Sequence, residues 1–296
     1  MTEPYKIELT ASNVLTVRFN HVSAGWEQWV LLRSDAHNDN IHCDRDFEQE
    51  HLRQAKERNA LIFDGGDLFC AMQGKYDPRA NMSDIRPEDV GVNYLDRIVE
   101  HAAEQYKPYA KHWLMLAMGN HETNIENRHH SNLSDRLAEK LRKMGGKTQV
   151  GGYGGWVRMQ FFVNKTKRST FAIKYYHGSG GGDAQVTRGT IQTNRQAVYL
   201  PDADIVWNGH THDSYVLPIA RARLSDKGVT YQDIAWHVRT PGYKDEYGDG
   251  SGGWAVEKGH PPKPLGACWL RFYVYDAGSG RIGVDPIQAI RNQEGT

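Results

Sequence analysis

The chain has 296 residues, which is enough for one large domain or two modest ones with a buried core. Lysine plus arginine equals aspartate plus glutamate at 36 each, so the formal net charge is zero. This balance excludes a global basic field of the kind that drives non-specific nucleic-acid binding.

The cysteine content and the apolar runs indicate the cellular compartment in which the protein is expected. The three cysteines, Cys43, Cys70 and Cys268, are widely spaced and include no Cys-x-x-Cys pair. This pattern disfavours a disulfide framework or a zinc knuckle and favours a reducing cytoplasm. The first residues lack the pattern of a signal peptide, and no apolar run approaches the ~20 residues needed to cross a bilayer. We therefore expect a cytoplasmic protein without a membrane segment.

The first half of the chain alternates predicted strands with predicted helices. The predicted strands are 6–9, 14–19, 28–33, 61–63 and 113–118, and the predicted helices are 44–58, 89–106 and 131–144. The first two strands form a hairpin, and the remainder follow a βαβ pattern. Polar residues follow the later strands directly, at the carboxyl ends where open α/β sheets place their sites.

From residue 149 onward the chain changes to longer β-type runs. The predicted strands here are 156–163, 169–176, 205–207, 214–224, 229–239 and 267–275, and one further helix is predicted at 189–199. A loop rich in Gly, Tyr and Asp, 241–264, separates the last two strands. Loops of this length are uncommon without a function.

Five predicted strands are followed by side chains of the types that bind metals. These side chains are Asp35 and His37; Asp67; Asn120 and His121; His177; and His210 and His212. Carboxylate, imidazole and amide groups suit Mn, Fe or Zn better than Cu(I) or an iron–sulfur cluster. Even with His121 set aside, they outnumber the ligands of one tetrahedral zinc, whereas two metals about 3.5–4 Å apart that share a carboxylate would use all of the others. Such a metal pair activates water for attack on phosphorus.

Each fragment alone has an ordinary structural interpretation. Asp35 and Asp67 are also typical of turns that follow strands, and His177 is also typical of a buried, hydrogen-bonded histidine. The order of all five fragments is what favours a metal centre.

The fragments Asp-x-His, Gly-Asp, Gly-Asn-His-Glu, a lone His-Gly and Gly-His-Thr-His occur in this order between Asp35 and His212. In this the chain resembles the calcineurin-like metallophosphoesterases. The resemblance implies an α/β fold (α+β in some schemes), a four-layer αββα sandwich of two mixed β-sheets packed face to face with helices outside. It also implies one domain over 1–296, with an N-terminal hairpin at 1–26, a metal-binding core at 27–215, and strands at 216–296 that complete the second sheet.

The resemblance further implies a site with two divalent ions, with Mn as the expected metal and Fe, Zn, Ni or Mg as alternatives. The implied ligands of the first ion are Asp35, His37 and His212, and those of the second are Asn120, His177 and His210. Asp67 would bridge the two ions, with a water or hydroxide between them as the nucleophile. His121 would stabilise the phosphoryl transition state or protonate the leaving oxygen.

Two further groups of residues lie close to these motifs. Asp39 is close enough to the first motif to orient a ligand or a bound water, and Asp64 is another carboxylate close to the motifs. Glu122 and Asp213 follow motif histidines and would support the ligands, although ordinary surface roles are equally compatible for these two. The candidate substrate contacts in the flanking loops are Lys75, Arg79, Arg128, His129 and His130, for which a solvated loop is the alternative.

The second motif departs from the family pattern. It reads Gly66–Cys70, Gly-Asp-Leu-Phe-Cys, where the family usually has Gly-Asp-x-x-Asp. In relatives, that second carboxylate often pairs with the histidine equivalent to His121. A neutral thiol cannot do this, so either Asp64 or Asp39 substitutes, or His121 has a lower pKa and is a weaker general acid.

The sequence around the motifs also restricts which activities of the family are expected. Protein Ser/Thr phosphatases of the family carry phosphate-gripping arginines where this chain has Ala71, Met72, Ala117 and Met118. The preferred interpretation is a phosphodiesterase or nuclease that acts on a nucleotide, a cyclic nucleotide or a nucleic-acid end, without an obligate protein partner. The alternatives are a phosphomonoesterase on nucleotides or small metabolites, and a non-catalytic binding module on the same fold.

Overall fold

The computed structural model describes residues 4–71, 82–164, 167–179, 190–251 and 254–291. The strands in these ranges are β1 (Lys6–Ala11), β2 (Val14–Val22), β3 (Glu27–Arg33), β4 (Leu61–Asp64), β5 (Trp113–Leu116), β6 (Gln149–Val150), β7 (Gly154–Val163), β8 (Lys167–Tyr176), β9 (Ile205–Asn208), β10 (Tyr215–Leu224), β11 (Thr230–Arg239), β12 (Gly266–Asp276) and β13 (Arg281–Ile290). The helices are α1 (Arg45–Glu57), α2 (Tyr94–Tyr106), α3 (Asn120–His129), α4 (Leu133–Lys143), α5 (Thr190–Tyr199) and α6 (Trp254–Glu257).

The strands form two mixed sheets. One has the order β1-β2-β7-β8-β9-β11-β10, and the other has the order β13-β12-β3-β4-β5-β6. The strands β3, β4 and β5 run parallel to one another, and so do β8 and β9. Parallel neighbours end at the same edge of a sheet, so the turns that follow them are brought together.

The two sheets pack face to face through a core of apolar side chains. Phe161 on β7 stacks on Phe19 of β2, with ring centroids 5.4 Å apart, and it contacts Phe272 of β12 in the other sheet at 5.3 Å. All three rings are buried. Period-two alternation along each strand supplies this inner face.

Helices cover the opposite face of the six-stranded sheet. Leu52 of α1, Val99 of α2 and Leu137 of α4 share one buried cluster with Trp113 of β5. On the other side, α5 lies in the crossover between β8 and β9 and contacts β10 through the hydroxyls of Thr193 and Tyr215. The predicted fold class, two mixed sheets packed face to face with helices outside, is therefore confirmed.

The predicted elements differ from the structure in several places. The helix α3 begins at Asn120, inside a segment expected to be a turn, and β13 was not expected. The strands after residue 215 were expected to complete one sheet, but β10 and β11 join the seven-stranded sheet, whereas β12 and β13 join the other. This happens because β12 pairs antiparallel with β3.

None of the helices in the described ranges combines the length and the apolarity that a membrane span requires.

Candidate metal centre

The ligand-type residues lie in turns with an unusual backbone conformation. The positive φ angles are 52° at Asp35, 48° at His37, 53° at Asp67, 71° at His210 and 55° at His212. Non-glycine residues adopt this region rarely, and strain of this kind concentrates at functional sites. Hydrogen bonds between the turns stabilise this backbone conformation. The Asp35 amide donates to the Gly66 carbonyl at 2.9 Å, and the His37 amide donates to the Asp67 carbonyl at 3.1 Å.

Asp35, His37 and His212 form a first cluster. One ligand atom from each lies within 4.8 Å of the others. The Nε2 atom of His212 is 3.5 Å from Oδ1 of Asp35. Burial, and then the neighbouring His121, lowers the pKa of His37 well below its usual value, so its ring is neutral and has a lone pair to offer.

Asp67, His177 and His210 form a second cluster with the same spacing. Nε2 of His177 lies 3.1 Å from Oδ2 of Asp67 and 3.9 Å from Oδ1 of Asp35, so the two clusters adjoin. The Nδ1–H of His177 donates to the Gly65 carbonyl at 2.9 Å, which directs Nε2 into the cluster.

The charges of the second cluster are strongly coupled. Burial opposes charge on His177, but the Asp67 carboxylate outweighs it and raises the pKa of His177 to about 10. Burial likewise opposes charge on Asp67, but His177 and then His121 outweigh it and hold the pKa of Asp67 well below its usual value. A divalent ion held by these residues would take the place of the imidazole proton, so its binding would release a proton.

Two motif glycines allow the backbone to approach these carboxylates. A Cβ on Gly119 would lie 2.0 Å from Oδ1 of Asp67, and a Cβ on Gly209 would lie 2.5 Å from Oδ2 of Asp35. No side chain fits at either distance. The absence of a side chain at Gly209 also lets the next amide, that of His210, donate to Oδ2 of Asp35 at 2.9 Å.

Asn120 and His121 open helix α3 beside the second cluster. Asn120 is its first residue, and the His121 amide donates to Oδ1 of Asp67 at 2.9 Å. The Nδ1 atom of His121 lies 2.5 Å from the backbone carbonyl oxygen of Cys70, and Nε2 lies 3.8 Å from Oδ2 of Asp67. A carbonyl oxygen only accepts hydrogen bonds, so Nδ1 carries the proton and Nε2 faces the cluster.

The His121 partner is thus neither of the two carboxylates expected from sequence. Asp39 accepts the amides of Cys70 at 2.5 Å and Ala71 at 2.8 Å, and it also accepts the Tyr94 hydroxyl. Asp64 accepts from Arg33 and from the Gly66 amide. The main chain at Cys70 supplies the acceptor that the missing carboxylate of Gly-Asp-x-x-Asp would have provided.

The other two carboxylates that the sequence placed close to the motifs, Glu122 and Asp213, have separate roles. Glu122 is fully buried and accepts three amides, from Asp67 and Phe69 at 2.9 Å and from Gly119 at 2.8 Å. It therefore ties the second motif turn to the third. Asp213 instead pairs with Lys263 of the long loop, with Oδ1 and Nζ 2.7 Å apart.

A buried charge network lies beneath the first two turns. The Arg33 side chain, fully buried, is 2.8 Å from a Glu48 oxygen and 2.9 Å from an Asp64 oxygen. Its guanidinium carbon lies 5.1 Å from the ring centroids of both Trp113 and Tyr243. Burial raises the pKa of Asp64 to about 6, and Arg33 acts in the opposite direction.

The long loop supplies a charged pair that the motifs did not reveal. The Tyr243 amide donates to the Asp35 carbonyl at 3.1 Å, and this contact brings the loop onto the first turn. The Lys244 ammonium then lies 2.7 Å from a Glu246 oxygen. Burial opposes charge on His212, but the Asp35 carboxylate outweighs it and raises the pKa of this ring; Glu246 adds to the rise and Lys244 opposes it. Only the unusual length of loop 241–264 hinted at this pair.

The candidate substrate contacts lie away from the clusters or outside the described residues. Arg128, His129 and His130 are exposed at the far end of α3, roughly 12 Å along the helix from His121. His129 lines a surface cavity of about 530 Å³. Lys75 and Arg79 fall outside the described residues.

The donor set fits divalent ions. Both clusters consist of carboxylates and imidazoles, which suits Mn, Fe or Zn, and the Cys70 thiol adjoins the first cluster at His37. The Nδ1 atom of His37 is buried and has no hydrogen-bond partner within the described part of the chain. The sequence thus predicted seven ligands, of which the structure gathers six into two adjoining clusters, with Asn120 beside them.

Comparisons with known proteins give distant structural likenesses. No protein-family model and no curated protein matches the chain. Vacuolar protein sorting 29 from Cryptosporidium parvum is 14% identical and aligns over 90% of this chain and 100% of its own, with a TM-score of 0.38. A predicted phosphoesterase from Streptococcus pneumoniae is 13% identical over 90% of this chain and 91% of its own, with a TM-score of 0.33.

A third similar structure is wild-type Vps29 complexed with zinc from Entamoeba histolytica. It is 10% identical and aligns over 88% of this chain and 99% of its own, with a TM-score of 0.37. At these identities and TM-scores, the neighbours indicate nothing about the activity of this chain. By the order of its five motifs, and by the two packed sheets that bring them together, the chain resembles the calcineurin-like metallophosphoesterases.

Proposed function

We propose that the protein is a phosphoester hydrolase that depends on two divalent ions. The observation that carries this proposal is the convergence of two clusters, each with one carboxylate and two histidines, joined through the close approach of His177 to both Asp35 and Asp67. Ligand sets that adjoin in this way are typical of two-metal sites, which clamp the attacking and leaving oxygens of a phosphoryl group.

The proposed roles follow from position. Asp35, His37 and His212 hold one ion, Asn120, His177 and His210 hold the other, and Asp67 bridges them. When bound, the ions supply Lewis-acid activation of a phosphoryl oxygen and of water. His121 is the proposed general acid: its Nδ1–H donates to the Cys70 carbonyl, so it acts as an acid in the doubly protonated ring, in which Nε2 also carries a proton and gives it to the leaving oxygen.

A phosphodiester is the preferred substrate. At neutral pH a diester carries one negative charge, whereas a monoester carries up to two. The Lys244 ammonium beside the first cluster is already neutralised by Glu246 at 2.7 Å, and Ala117 and Met118 stand where related protein phosphatases carry an arginine. A site with this charge balance favours the less charged ester.

The finer assignments remain part of the proposal. We expect a nucleotide, a cyclic nucleotide or a nucleic-acid end as substrate, Mn²⁺ as the metal, and no obligate protein partner. We also expect a cytoplasmic location, because all three cysteines are buried and unpaired.

The test is hydrolysis of model esters by metal-free protein supplied with Mn²⁺. We expect faster turnover of bis-p-nitrophenyl phosphate than of p-nitrophenyl phosphate, and loss of both activities on chelation. Asp67→Asn and His210→Ala should each reduce the rate by at least about 100-fold, because each removes a ligand. An exposed histidine on β2, His21, offers the matched control, and His21→Ala should retain the rate.

Two results would contradict the proposal in different ways. Failure of the protein to bind two ions per chain would remove the metal centre itself. Binding of two ions without turnover of either ester would leave a metal-binding module on this fold, which is the alternative without catalysis.

A further inference from the structure

A third set of metal-binding side chains lies beside the first cluster. It consists of His37, Cys70 and His121, all of them buried, with one ligand atom from each within 4.8 Å of the others. The rings of His37 and His121 meet edge to face, with centroids 4.9 Å apart. This set shares His37 with the first cluster but contains sulfur in place of carboxylate oxygen.

The thiol of Cys70 is held rigidly and receives polar contacts. Asp39 accepts the amides of Cys70 and Ala71, which fixes the turn that carries the side chain. Nδ2 of Asn40 lies 3.4 Å from the sulfur and donates to it. Burial raises the pKa of the thiol to about 12, whereas the Lys244 ammonium acts in the opposite direction. A metal ion deprotonates such a thiol outright on coordination, and the surrounding donors then stabilise the sulfur anion.

The two histidines have nitrogen atoms suited to the same ion. Nδ1 of His37 is buried and has no hydrogen-bond partner among the described residues. Nδ1 of His121 is engaged by the Cys70 carbonyl, which is the arrangement that leaves Nε2 with its lone pair in the neutral ring. One sulfur and two nitrogens are ligand types that zinc accepts in sites with three protein ligands.

We propose that Cys70, His37 and His121 form a separate site for a thiophilic divalent ion such as Zn²⁺ or Cd²⁺. Binding forms a sulfur–metal bond and releases the thiol proton to solvent. An ion at this site competes with the first ion of the metal pair for His37, and it occupies the Nε2 atom of His121. The site is therefore inhibitory, a consequence that rests on the proposed hydrolase function, whereas the binding itself does not.

The binding test uses ultraviolet absorption from charge transfer between thiolate and Cd²⁺. Cd²⁺ is titrated into the full-length, Mn²⁺-loaded protein, and we expect a charge-transfer band that saturates at one Cd²⁺ per chain. Cys70→Ser should lose the band, and His121→Ala should weaken the apparent affinity at least about 10-fold. The chain offers matched controls, because Cys43 and Cys268 are also buried thiols, and Cys43→Ser and Cys268→Ser should retain the band.

The outcomes separate this site from the proposed function. No band in the wild type, or a band that persists in Cys70→Ser with native circular dichroism, would overturn the site whether or not the protein hydrolyses esters. If hydrolysis is found, the ratio of rates with and without Zn²⁺ is compared for each variant. We expect Zn²⁺ to inhibit the wild type and to inhibit Cys70→Ser at least about 10-fold less strongly; equal inhibition would overturn the inhibitory role.

Discussion

The buried arginine beneath the turns that carry the metal ligands allows a quantitative test of which interactions stabilise the site. Arg33 joins the end of β3 to Asp64 at the end of β4 and to Glu48 on α1, with all of these groups shielded from solvent. Arg33→Met keeps an unbranched apolar stem but leaves two buried carboxylates without their cation. Removing one partner of a buried ion pair costs about 3–5 kcal/mol, because the remaining charge has no compensation.

The expected loss is measured by urea or guanidinium unfolding at pH 7. On a scale of about 2–4 °C per kcal/mol, it corresponds to a fall in melting temperature of roughly 6–20 °C. The loss should grow with pH: Arg33 opposes the burial that raises the pKa of Asp64, so without it the folded state holds the Asp64 proton to higher pH. In the pH range where the unfolded carboxyl is already ionised, the folded state then binds more protons than the unfolded state. The free energy of unfolding therefore falls as pH rises through this range.

Two control variants make the reasoning refutable. Arg53→Met removes an arginine from an exposed pair with Glu57 on α1 and should leave stability unchanged within error. Combining Arg33→Met with Glu48→Gln and Asp64→Asn removes the unpaired charges and should recover part of the loss. The explanation fails if Arg33→Met costs no more than Arg53→Met, or if the triple variant is no more stable than the single one.

Three further predictions concern single groups and the metals. Glu122→Ala leaves the amides of Asp67, Phe69 and Gly119 without an acceptor, and we expect a loss of about 3 kcal/mol or more in denaturant unfolding; an unchanged midpoint would contradict this. Burial lowers the pKa of His51 from 6.5 to about 4, so the unfolded state binds more protons between these values and stability falls as pH drops through them. His51→Leu should remove up to about 3 kcal/mol of that pH dependence, and an equally steep profile would count against it. Mn²⁺ at 1,000 times its Kd should raise the free energy of unfolding by about 4 kcal/mol per bound ion, and by less in Asp67→Asn; calorimetry with and without the ion checks this.

The sequence predicted the position of the site because each ligand follows a buried strand. Asp35 and Asp67 follow β3 and β4, which are parallel neighbours and therefore end at one edge of their sheet, and His177 follows β8 in the other sheet. Apolar strands followed by a carboxylate or imidazole are readable without any tertiary information. The convergence of two sheets at that edge is a consequence of their face-to-face packing.

The elements that sequence missed lack the corresponding local signal. Helix α3 has one buried apolar residue, Ile125, so its spacing shows no amphipathic stripe, and its beginning depends on Glu122 reaching back to Gly119. Strand β13 contains Pro286, which normally argues against a strand. The structure tolerates it because β13 is the outermost strand of its sheet.

The partner of His121 could not be read from residue types at all. A search for a replacement carboxylate considers only side chains, whereas the observed acceptor is the main-chain carbonyl of Cys70. Similarly, the contact of the Tyr243 amide with the Asp35 carbonyl, which helps to bring Lys244 and Glu246 to the first cluster, joins residues more than 200 positions apart in sequence. Both contacts depend on three-dimensional placement.

The left-handed φ angles of the five ligand residues have a consequence for engineering this protein. Glycine adopts that conformation freely, whereas other residues pay roughly 1–2 kcal/mol for it. A procedure that ranks substitutions by thermal stability alone will therefore favour glycine at His210 and His212, which are only partly buried, whereas removing Asp35 or Asp67 would leave buried partners without compensation. Variants selected in this way would have a higher melting temperature but would lack ligands of the metal centre. A stabilised form of this chain should therefore be screened for bound ions before its melting temperature is taken as an improvement.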